Sequence, residues 1–189
     1  MGQFEDAVIF AAQVHNGMIR KAAGTPYLVH PIEVAAIASS ITNDPEVLSA
    51  AVLHDVLEDT PTEKDELYER FGERVTKLVL SETENKRRGE PPRQTWMIRK
   101  EESLKELEAA EDPGVQIVWL ADKLSNMRSF YRLYAKEGMD LWSVFNQPDP
   151  AAQMWYYERV RDLTMSLQEH AAWQEYAELI KIVFREVKE

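Results

Sequence analysis

Apolar residues recur along the chain at the three-and-four spacing that places them on one face of a helix. In the segment "FEDAVIFAAQVH", for example, Phe4, Ala7, Val8, Ala11 and Ala12 share such a face. The spacing continues, with interruptions, to the end of the sequence, and no segment shows the sustained alternation of a half-buried strand. The pattern therefore predicts an all-α protein.

Turn-forming residues divide this pattern into separate helices. Asp44-Pro45 and Asp112-Pro113 each predict a helix start, because aspartate is a favourable N-cap and proline is tolerated in the first turn. Gly72 predicts a helix end, and the segments "ENKRRGEPPRQ" and "FNQPDPAAQ" are typical of loops. No shift in composition marks a second domain, so we expect a bundle of about eight to ten helices in one domain, residues 1–189.

The segment "VQIVWL", residues 115–120, is compatible with either a buried strand or a helix when it is taken alone. No breaker separates it from "ADKLSNMRSF", and the helical spacing continues through both. We therefore predict one helix that begins at Pro113.

The segment "AAVLHDVLEDT", residues 50–60, mixes large apolar residues with four ionisable ones. On a helix at about 100° per residue, His54, Asp55, Glu58 and Asp59 fall within about 140° of one another, opposite the apolar residues. Three carboxylates this close repel one another, and a bound cation would remove that repulsion. The segment is either the wet face of an amphipathic helix or part of a metal site.

Composition limits the chemistry of such a site. The 189-residue chain contains no cysteine and four histidines, so any metal must be held by nitrogen and oxygen ligands, which suits Mn, Fe or Zn. The formal charge of −11 argues against binding of long nucleic acids. A small phosphorylated ligand is still compatible with that charge, because a local basic pocket and a divalent cation can outweigh it.

The cellular location is indicated by the features that the sequence lacks, namely a membrane-spanning stretch, a signal peptide and cysteine. No apolar stretch is long enough to span a bilayer, and no basic segment precedes the first apolar residues as it would in a signal peptide. With cysteine also absent, these features favour a cytoplasmic protein without a membrane partner.

His30 and Asp122 are the best candidates for the remaining ligands. His30 begins a helix just after a glycine-containing loop, and Asp122 follows the apolar run "VQIVWLA", where an acid is rare unless it is paired or bound to a metal. Two interpretations stay open on these residues alone. They form a metal site with His54 and Asp55, or a helical core with a salt-bridged Asp122.

Four motifs along the chain resemble those of a known protein family, and they occur in the same order as in that family. "RKAAGTPYLVHPIEVA", "AAVLHDVLEDT", "FGERVTKLV" and "VWLADKLSNMRS" resemble the HD superfamily of metal-dependent phosphohydrolases, and within it the hydrolase domain of the RelA/SpoT alarmone enzymes and their stand-alone small alarmone hydrolases. The resemblance covers residues 4 to 130. It implies an HD-domain helical bundle and a hydrolase without a synthetase domain.

The resemblance also implies a set of roles. One Mn²⁺ ion, or another divalent metal, would be bound by His30, His54, Asp55 and Asp122. Glu58 and Asp59 would position or deprotonate the attacking water, and Asn126 would lie near the nucleotide sugar. Arg20 and Lys21 match the basic pair before the first metal histidine, in a loop whose register varies by a residue. The implied reaction removes the 3′-pyrophosphate of guanosine tetra- or pentaphosphate, which yields GDP or GTP and pyrophosphate.

Other substrate contacts are less constrained. Lys86, followed by Arg87 and Arg88, is either a phosphate contact or part of a solvated run, and Tyr156 is either a packing residue or a wall for the nucleobase. The resemblance also predicts an arginine four positions before Tyr156, where this chain has Ala152. One phosphate or base contact is therefore either missing or supplied by another residue.

Two alternatives accompany the alarmone hydrolase. One is an HD phosphohydrolase that acts on another nucleotide, such as the 2′-phosphate of NADPH or an adenosine alarmone. The other is a catalytically silent nucleotide-binding module that has kept the fold. The sequence does not indicate the oligomeric state.

Overall fold

The computed structural model describes residues 2–20 and 24–187, and this part of the chain is helical without a β-strand. The predicted all-α class is confirmed, and the helix count lies within the expected range. The helices are α1 (Gln3–Val14), α2 (Val29–Ser39), α3 (Pro45–Leu53), α4 (Val56–Asp59), α5 (Lys64–Glu82), α6 (Pro92–Ala109), α7 (Pro113–Glu137), α8 (Pro150–Leu163) and α9 (Ala171–Val183). Three short 3₁₀ segments follow α7, α8 and α9, at Gly138–Val144, Met165–Leu167 and Arg185–Val187.

Helix α7 lies at the centre of the bundle. It packs against α2, α3, α5 and α9, and its middle is buried on all sides, with Trp119, Leu120, Leu124 and Met127 almost fully enclosed. A helix that is enclosed in this way has apolar residues on almost every face of its sequence pattern. That is why "VQIVWL" resembles a strand in sequence although it forms part of this helix.

The predicted helix starts are present as N-caps. Asp44 accepts a hydrogen bond from the N–H of Glu46 at the start of α3, and Asp112 accepts one from the N–H of Gly114 at the start of α7. Gly72 interrupts α5 at φ 84°, a conformation that glycine adopts without strain, so the predicted break is also there.

The segment 50–59 is not the single helix assumed in the projection. Helix α3 ends at Leu53 and α4 begins at Val56, with His54 and Asp55 between them. The ring nitrogen Nδ1 of His54 lies 2.9 Å from the carbonyl oxygen of Ala51, which a continuous helix would offer to the N–H of Asp55. This competition, with Asp55 at ψ −5°, accounts for the break.

The loop before α2 is held by backbone pairing on both sides of residues 21–23. The N–H of Arg20 donates to the carbonyl of Thr25, and the N–H of Tyr27 donates to the carbonyl of Met18. This pairing fixes where Arg20 and Tyr27 leave the loop, and both side chains line the candidate site.

Arg74 on α5 joins the caps of two helices that carry site residues. Its guanidinium lies 2.6 Å from Asp44 and 2.8 Å from Asp112, and the hydrogen bonds from Arg74 lower the pKa of Asp112 more than partial burial raises it. A group with a lowered pKa stabilises the fold above its ordinary pKa, and this contribution is lost as the pH falls through the lowered value.

We expect Arg74→Met to reduce the free energy of unfolding by about 1–2 kcal/mol at neutral pH, because two partly exposed caps lose a shared charged partner. Lys77→Met is the matched control, since Lys77 has only an exposed pair with Glu73 one turn away. Urea unfolding from pH 7 to pH 3 measures both. A difference between wild type and Arg74→Met that persists undiminished at pH 3 would contradict the role given to these caps.

Candidate metal and nucleotide site

Two adjoining cavities open beside the middle of α7. The inner one, of about 190 Å³, is lined mainly by charged side chains, and the outer one, of about 850 Å³, is lined by cationic and aromatic side chains. Six acids line the inner cavity: Asp55, Glu58, Asp59, Glu82, Glu84 and Asp122. Only Glu58 and Glu84 of these also line the outer cavity.

A cluster of three side chains suited to a metal ion lies at the inner cavity, which two of them, His30 and Asp122, line. One donor atom each of His30, His54 and Asp122 lies within 4.8 Å of the other two, and all three residues are buried. Oδ1 of Asp122 is 3.0 Å from Nε2 of His30 and 3.5 Å from Nε2 of His54. Three helical segments distant in sequence therefore converge on one point.

Asp55 joins this cluster from the break between α3 and α4. Its Oδ2 lies 3.1 Å from Nε2 of His54 and 3.6 Å from Nε2 of His30. The structure thus brings together all four side chains that the sequence predicts as ligands.

The outer hydrogen bonds of the two histidines leave Nε2 directed into the cluster. Nδ1 of His30 lies 2.8 Å from Oγ of Ser125, and that hydroxyl donates to Glu33. Because the serine proton is used on Glu33, the hydroxyl accepts from His30, so Nδ1 carries the proton. A histidine held in this way has its Nε2 lone pair available for a metal.

His54 is held in the same tautomer by a backbone carbonyl, that of Ala51, which can only accept a hydrogen bond. Its Nε2 is buried and has no hydrogen-bond partner within residues 2–20 and 24–187. A buried nitrogen without a partner is costly unless it binds a cation. The donor set of imidazole nitrogens and carboxylates therefore fits a divalent metal, and His30, His54, Asp55 and Asp122 would hold it.

Charge keeps the carboxylates of the cluster ionised despite burial. Burial alone would raise the pKa of Asp122, but the ammonium of Lys123 and the adjacent imidazoles of His30 and His54 outweigh it and lower that pKa. Burial also opposes ionisation of Asp55, and the neighbouring His54 lowers its pKa below the usual range. Both carboxylates are thus in the form that binds a cation.

Glu58 and Asp59 lie on α4, at the edge of the same cavity. Oε2 of Glu58 accepts the N–H of Glu84, and burial together with the charge of Asp55 raises the pKa of Glu58. Asp59 forms a short contact with the ammonium of Lys86, which also lies 3.2 Å from Glu58. The predicted catalytic pair is therefore beside the cluster, and Lys86 holds it.

The three consecutive cations at residues 86–88 differ in what their side chains contact. Lys86 faces Glu58 and Asp59 and lines the outer cavity, whereas Arg87 pairs with Glu102 and Arg88 is exposed. Of the three cations, only Lys86 lines the outer cavity, and its role as a substrate contact stays a prediction.

Arg20 and Asn126 form a chain that leads to the cluster. The guanidinium of Arg20 makes a short hydrogen bond to Oδ1 of Asn126, and Nδ2 of Asn126 donates to Oδ1 of Asp122 at 2.8 Å. Both residues line both cavities. Lys21, predicted as the second half of the basic pair, lies outside the described residues.

Tyr156 stands where the two cavities meet. It is buried, Trp96 packs edge-on against its ring, and the ammonium of Lys100 lies 4.7 Å from the ring centre. Burial and the nearby Lys123 lower the pKa of Lys100 to about 8. Tyr156 is thus both a packing residue and a cavity wall, and its contact with a nucleobase stays a prediction.

The outer cavity is rich in positive charge although the chain is acidic. Seven cations line it: Arg20, Lys86, Arg99, Lys100, Lys123, Arg132 and Lys136. The aromatic rings of Tyr156, Tyr157, Trp96, Phe130 and Phe145 line it as well. An acidic inner cavity beside a basic, aromatic outer one suits a metal ion and a phosphorylated ligand with a planar base.

Comparison with known families identifies the fold. The family described as HD domain matches residues 7–151, a range that contains the whole cluster and both catalytic candidates. The chain belongs to the HD domain family.

This HD domain is similar to curated enzymes of alarmone metabolism. It is 40% identical over 136 residues to the mouse guanosine-3′,5′-bis(diphosphate) 3′-pyrophosphohydrolase MESH1, which covers 69% of this chain and 70% of that relative. It is 35% identical over 181 residues to the enzyme of the same activity from Aquifex aeolicus, covering 85% of this chain and 25% of that relative. The GTP pyrophosphokinase of Myxococcus xanthus is 33% identical over 146 residues, covering 72% of this chain and 19% of that relative. The HD domain therefore spans a quarter or less of the two bacterial relatives.

Two solved structures share the fold. A metazoan orthologue of SpoT, described as hydrolysing ppGpp, superposes with a TM-score of 0.73 at 25% identity, covering 98% of this chain and 96% of that one. The protein lmo0812 of Listeria monocytogenes EGD-e superposes with a TM-score of 0.71 at 29% identity, covering 82% and 99% respectively.

The HD domain also contains supporting residues that the motifs do not reveal. The ammonium of Lys123 lies 2.5 Å from Asp122 and 2.6 Å from Glu82, all of them buried, and burial with the charge of Asp122 raises the pKa of Glu82 to about 8. Lysine directly after a buried aspartate, as in "ADKL", is a sequence signal for such a pair. The position of Glu82, 41 residues earlier, is not.

Tyr27 is a second supporting residue. Its hydroxyl lies 2.6 Å from Oδ2 of Asp55 and 2.6 Å from Oδ2 of Asp59. The hydroxyl has one proton, so it donates to one of the two carboxylates at a time while it lies within hydrogen-bond distance of both. Tyr27 therefore links a predicted ligand to a predicted catalytic acid.

We expect Tyr27→Phe to weaken Mn²⁺ binding by about 10- to 100-fold, as is usual when a partner of a metal ligand is lost. Isothermal titration calorimetry with MnCl₂ measures this effect without any substrate. Tyr68→Phe is the matched control, since Tyr68 is exposed on α5. Unchanged Mn²⁺ affinity in Tyr27→Phe would show that the hydroxyl does not support the cluster.

Proposed function

We propose that this HD domain is a metal-dependent phosphohydrolase that removes the 3′-pyrophosphate of guanosine tetra- or pentaphosphate, and that Mn²⁺ is its metal. The observation that carries the proposal is that the acidic cluster lies directly beside the basic, aromatic cavity. The names of the mouse and Aquifex aeolicus relatives, and the described activity of the SpoT orthologue, support this substrate.

The metal would be held by His30, His54, Asp55 and Asp122. When bound, it would lower the pKa of a water and polarise a phosphoryl oxygen. The remaining roles belong to side chains of the chain itself. Glu58, ionised and oriented by the N–H of Glu84, would take the proton of the attacking water.

Asp59 and Lys86 would keep Glu58 in place. Lys86 contacts both acids, so it limits their repulsion and the rotation of Glu58. Arg20, which reaches Asn126 at the mouth of the inner cavity, would bind the pyrophosphate that is released. Asn126, tied to Asp122, would bind the sugar beside it.

The outer cavity would hold the nucleoside. Its aromatic residues supply a surface for a planar base, with Tyr156 at the junction with the inner cavity, and its volume of about 850 Å³ lies in the range of small-molecule sites. The expected location in the cytoplasm and the single domain, residues 1–189, stay predictions. None of the helices in the described part of the chain has the length and apolar character needed to cross a membrane.

A nucleotide panel with product identification tests the proposal. Purified protein with MnCl₂ is incubated separately with guanosine 3′,5′-bis(diphosphate), its adenosine counterpart and NADPH, and the released group is identified by ³¹P NMR. We expect pyrophosphate from the guanosine compound. Release of phosphate from NADPH, or of pyrophosphate from the adenosine compound alone, would assign a different substrate. Nucleotide binding without release would indicate a silent module.

A further inference from the structure

One face of α7 runs from the metal cluster into the far end of the outer cavity. Asp122, Asn126, Ser129, Leu133 and Lys136 recur every three or four residues and line the two cavities in turn. At about 1.5 Å per residue, Arg132 lies about 15 Å and Lys136 about 21 Å along the axis from Asp122. The helix therefore places two cations at a set distance from the cluster.

These two cations differ from those near the cluster. Lys86, Lys100 and Lys123 are each paired with acids of another helix or loop. Arg132 has a hydrogen bond only to the hydroxyl of Ser129 on its own helix, and Lys136 pairs only with its exposed neighbour Glu137. Among the described residues, neither has an acidic partner from another element, so both charges are available to an anion.

The direction of the side chains brings Arg132 closer to the cluster. Helical side chains lean towards the N-terminus of their helix, and for α7 this is the direction of Asp122. The guanidinium of Arg132 thus covers part of the 15 Å separation. A nucleoside with phosphates on both its 3′ and 5′ oxygens has charged groups on opposite sides of the ribose, and it matches this arrangement of a cation at each end.

Part of the lining of the outer cavity is uncharged. Phe130 and Phe145 contact each other edge-on, with 5.1 Å between ring centres, and Asn146 and Gln147 continue the lining beyond them. The position four residues before Tyr156 is Ala152, so the arginine expected there by resemblance is absent. Arg132 is a cation of the same cavity that can take over an anionic contact.

We propose that Arg132, assisted by Lys136, binds the 5′-phosphate group of a nucleotide whose 3′-phosphate group lies at the metal cluster. This proposal rests on the proposed function, because it takes the ligand to be a nucleotide whose 3′-phosphate group lies at the metal cluster. It makes Arg132 a specificity residue, which distinguishes nucleotides with a 5′-diphosphate from those without one.

Kinetics with two nucleotides tests the assignment. We expect Arg132→Ala to raise KM for guanosine 3′,5′-bis(diphosphate) about tenfold with kcat unchanged, which is the loss of one charge-assisted contact at an exposed site. Guanosine 3′-diphosphate, which lacks the 5′-phosphates, should show no change. Arg159→Ala, at an exposed position of α8 outside both cavities, is the matched control.

A second measurement separates this proposal from the proposed function. Binding of guanosine 5′-diphosphate to the metal-free protein, followed by calorimetry, requires no turnover. It should weaken about tenfold in Arg132→Ala and further in the double variant with Lys136→Ala. Equal effects of Arg132→Ala on both nucleotides, or unchanged diphosphate binding, would overturn the 5′-phosphate assignment. A different result would overturn the proposed function alone. In that case the wild type would hydrolyse neither guanosine 3′,5′-bis(diphosphate) nor guanosine 3′-diphosphate, but its binding of guanosine 5′-diphosphate would still depend on Arg132.

Discussion

Asp122→Ala should abolish Mn²⁺ binding and lower turnover by about 10³-fold or more, since metal assistance to phosphoryl transfer is worth several kcal/mol. Asp122 contacts both imidazoles through a single oxygen, at 3.0 Å from His30 and 3.5 Å from His54. Its loss leaves two neutral donors and Asp55, a set that is one ligand short of the predicted four.

The fold should survive this change. Lys123 keeps its contact with Glu82 at 2.6 Å, and His30 keeps Ser125. Circular dichroism checks the fold, and thermal unfolding with and without MnCl₂ reports the metal independently of activity, because a ligand that binds the native state raises Tm. Asp140→Ala, at an exposed position just after α7, is the control. If Asp122→Ala still gains stability from Mn²⁺, the ligand assignment is wrong.

Glu58→Gln should retain the metal and lose turnover by about 10²- to 10⁴-fold, the usual contribution of a general base. Glutamine can still accept the N–H of Glu84, so its position is kept while its basicity is lost. Glu69→Gln, exposed on α5, is the control.

The pH profile gives Glu58 a second readout. Burial and the charge of Asp55 raise its pKa above the ordinary 4.5, so the base becomes protonated at a higher pH than an exposed glutamate would. In the wild type, kcat/KM should fall as the pH decreases through that raised value, and the residual activity of Glu58→Gln should lack this acid limb. An acid limb that persists unchanged in the variant would place the base elsewhere.

The sequence predicts the candidate ligands of the site better than it predicts the residues that hydrogen-bond to them. Patterning makes His30, His54, Asp55 and Asp122 candidates, because acids and histidines within apolar helical patterns need a partner, and the family resemblance groups them as one ligand set. The support comes from residues far apart in the chain. Ser125 holds His30 across 95 residues, and Tyr27 joins Asp55 across 28, so no local pattern indicates these contacts.

The break between α3 and α4 is the clearest limit of the sequence prediction. Helical periodicity over residues 50–59 is nearly ideal, yet a contact from the His54 ring to Ala51 competes with the helical backbone. Periodicity describes which residues are buried, whereas the break depends on one side chain and one carbonyl. Asp55 therefore reaches the cluster by a turn of the backbone that the helical projection does not contain.

The separation of charge between the two cavities has a consequence for how a ligand arrives. The chain as a whole carries −11, so at low ionic strength, where the screening length is about 30 Å, it repels a nucleotide that is still in bulk solvent. At about 0.1 M salt that length is about 10 Å, and the repulsion is largely screened while the cations of the outer cavity still act over shorter distances. We therefore expect ionic strength to act on nucleotide association in two opposite senses, with the fastest association at an intermediate salt concentration.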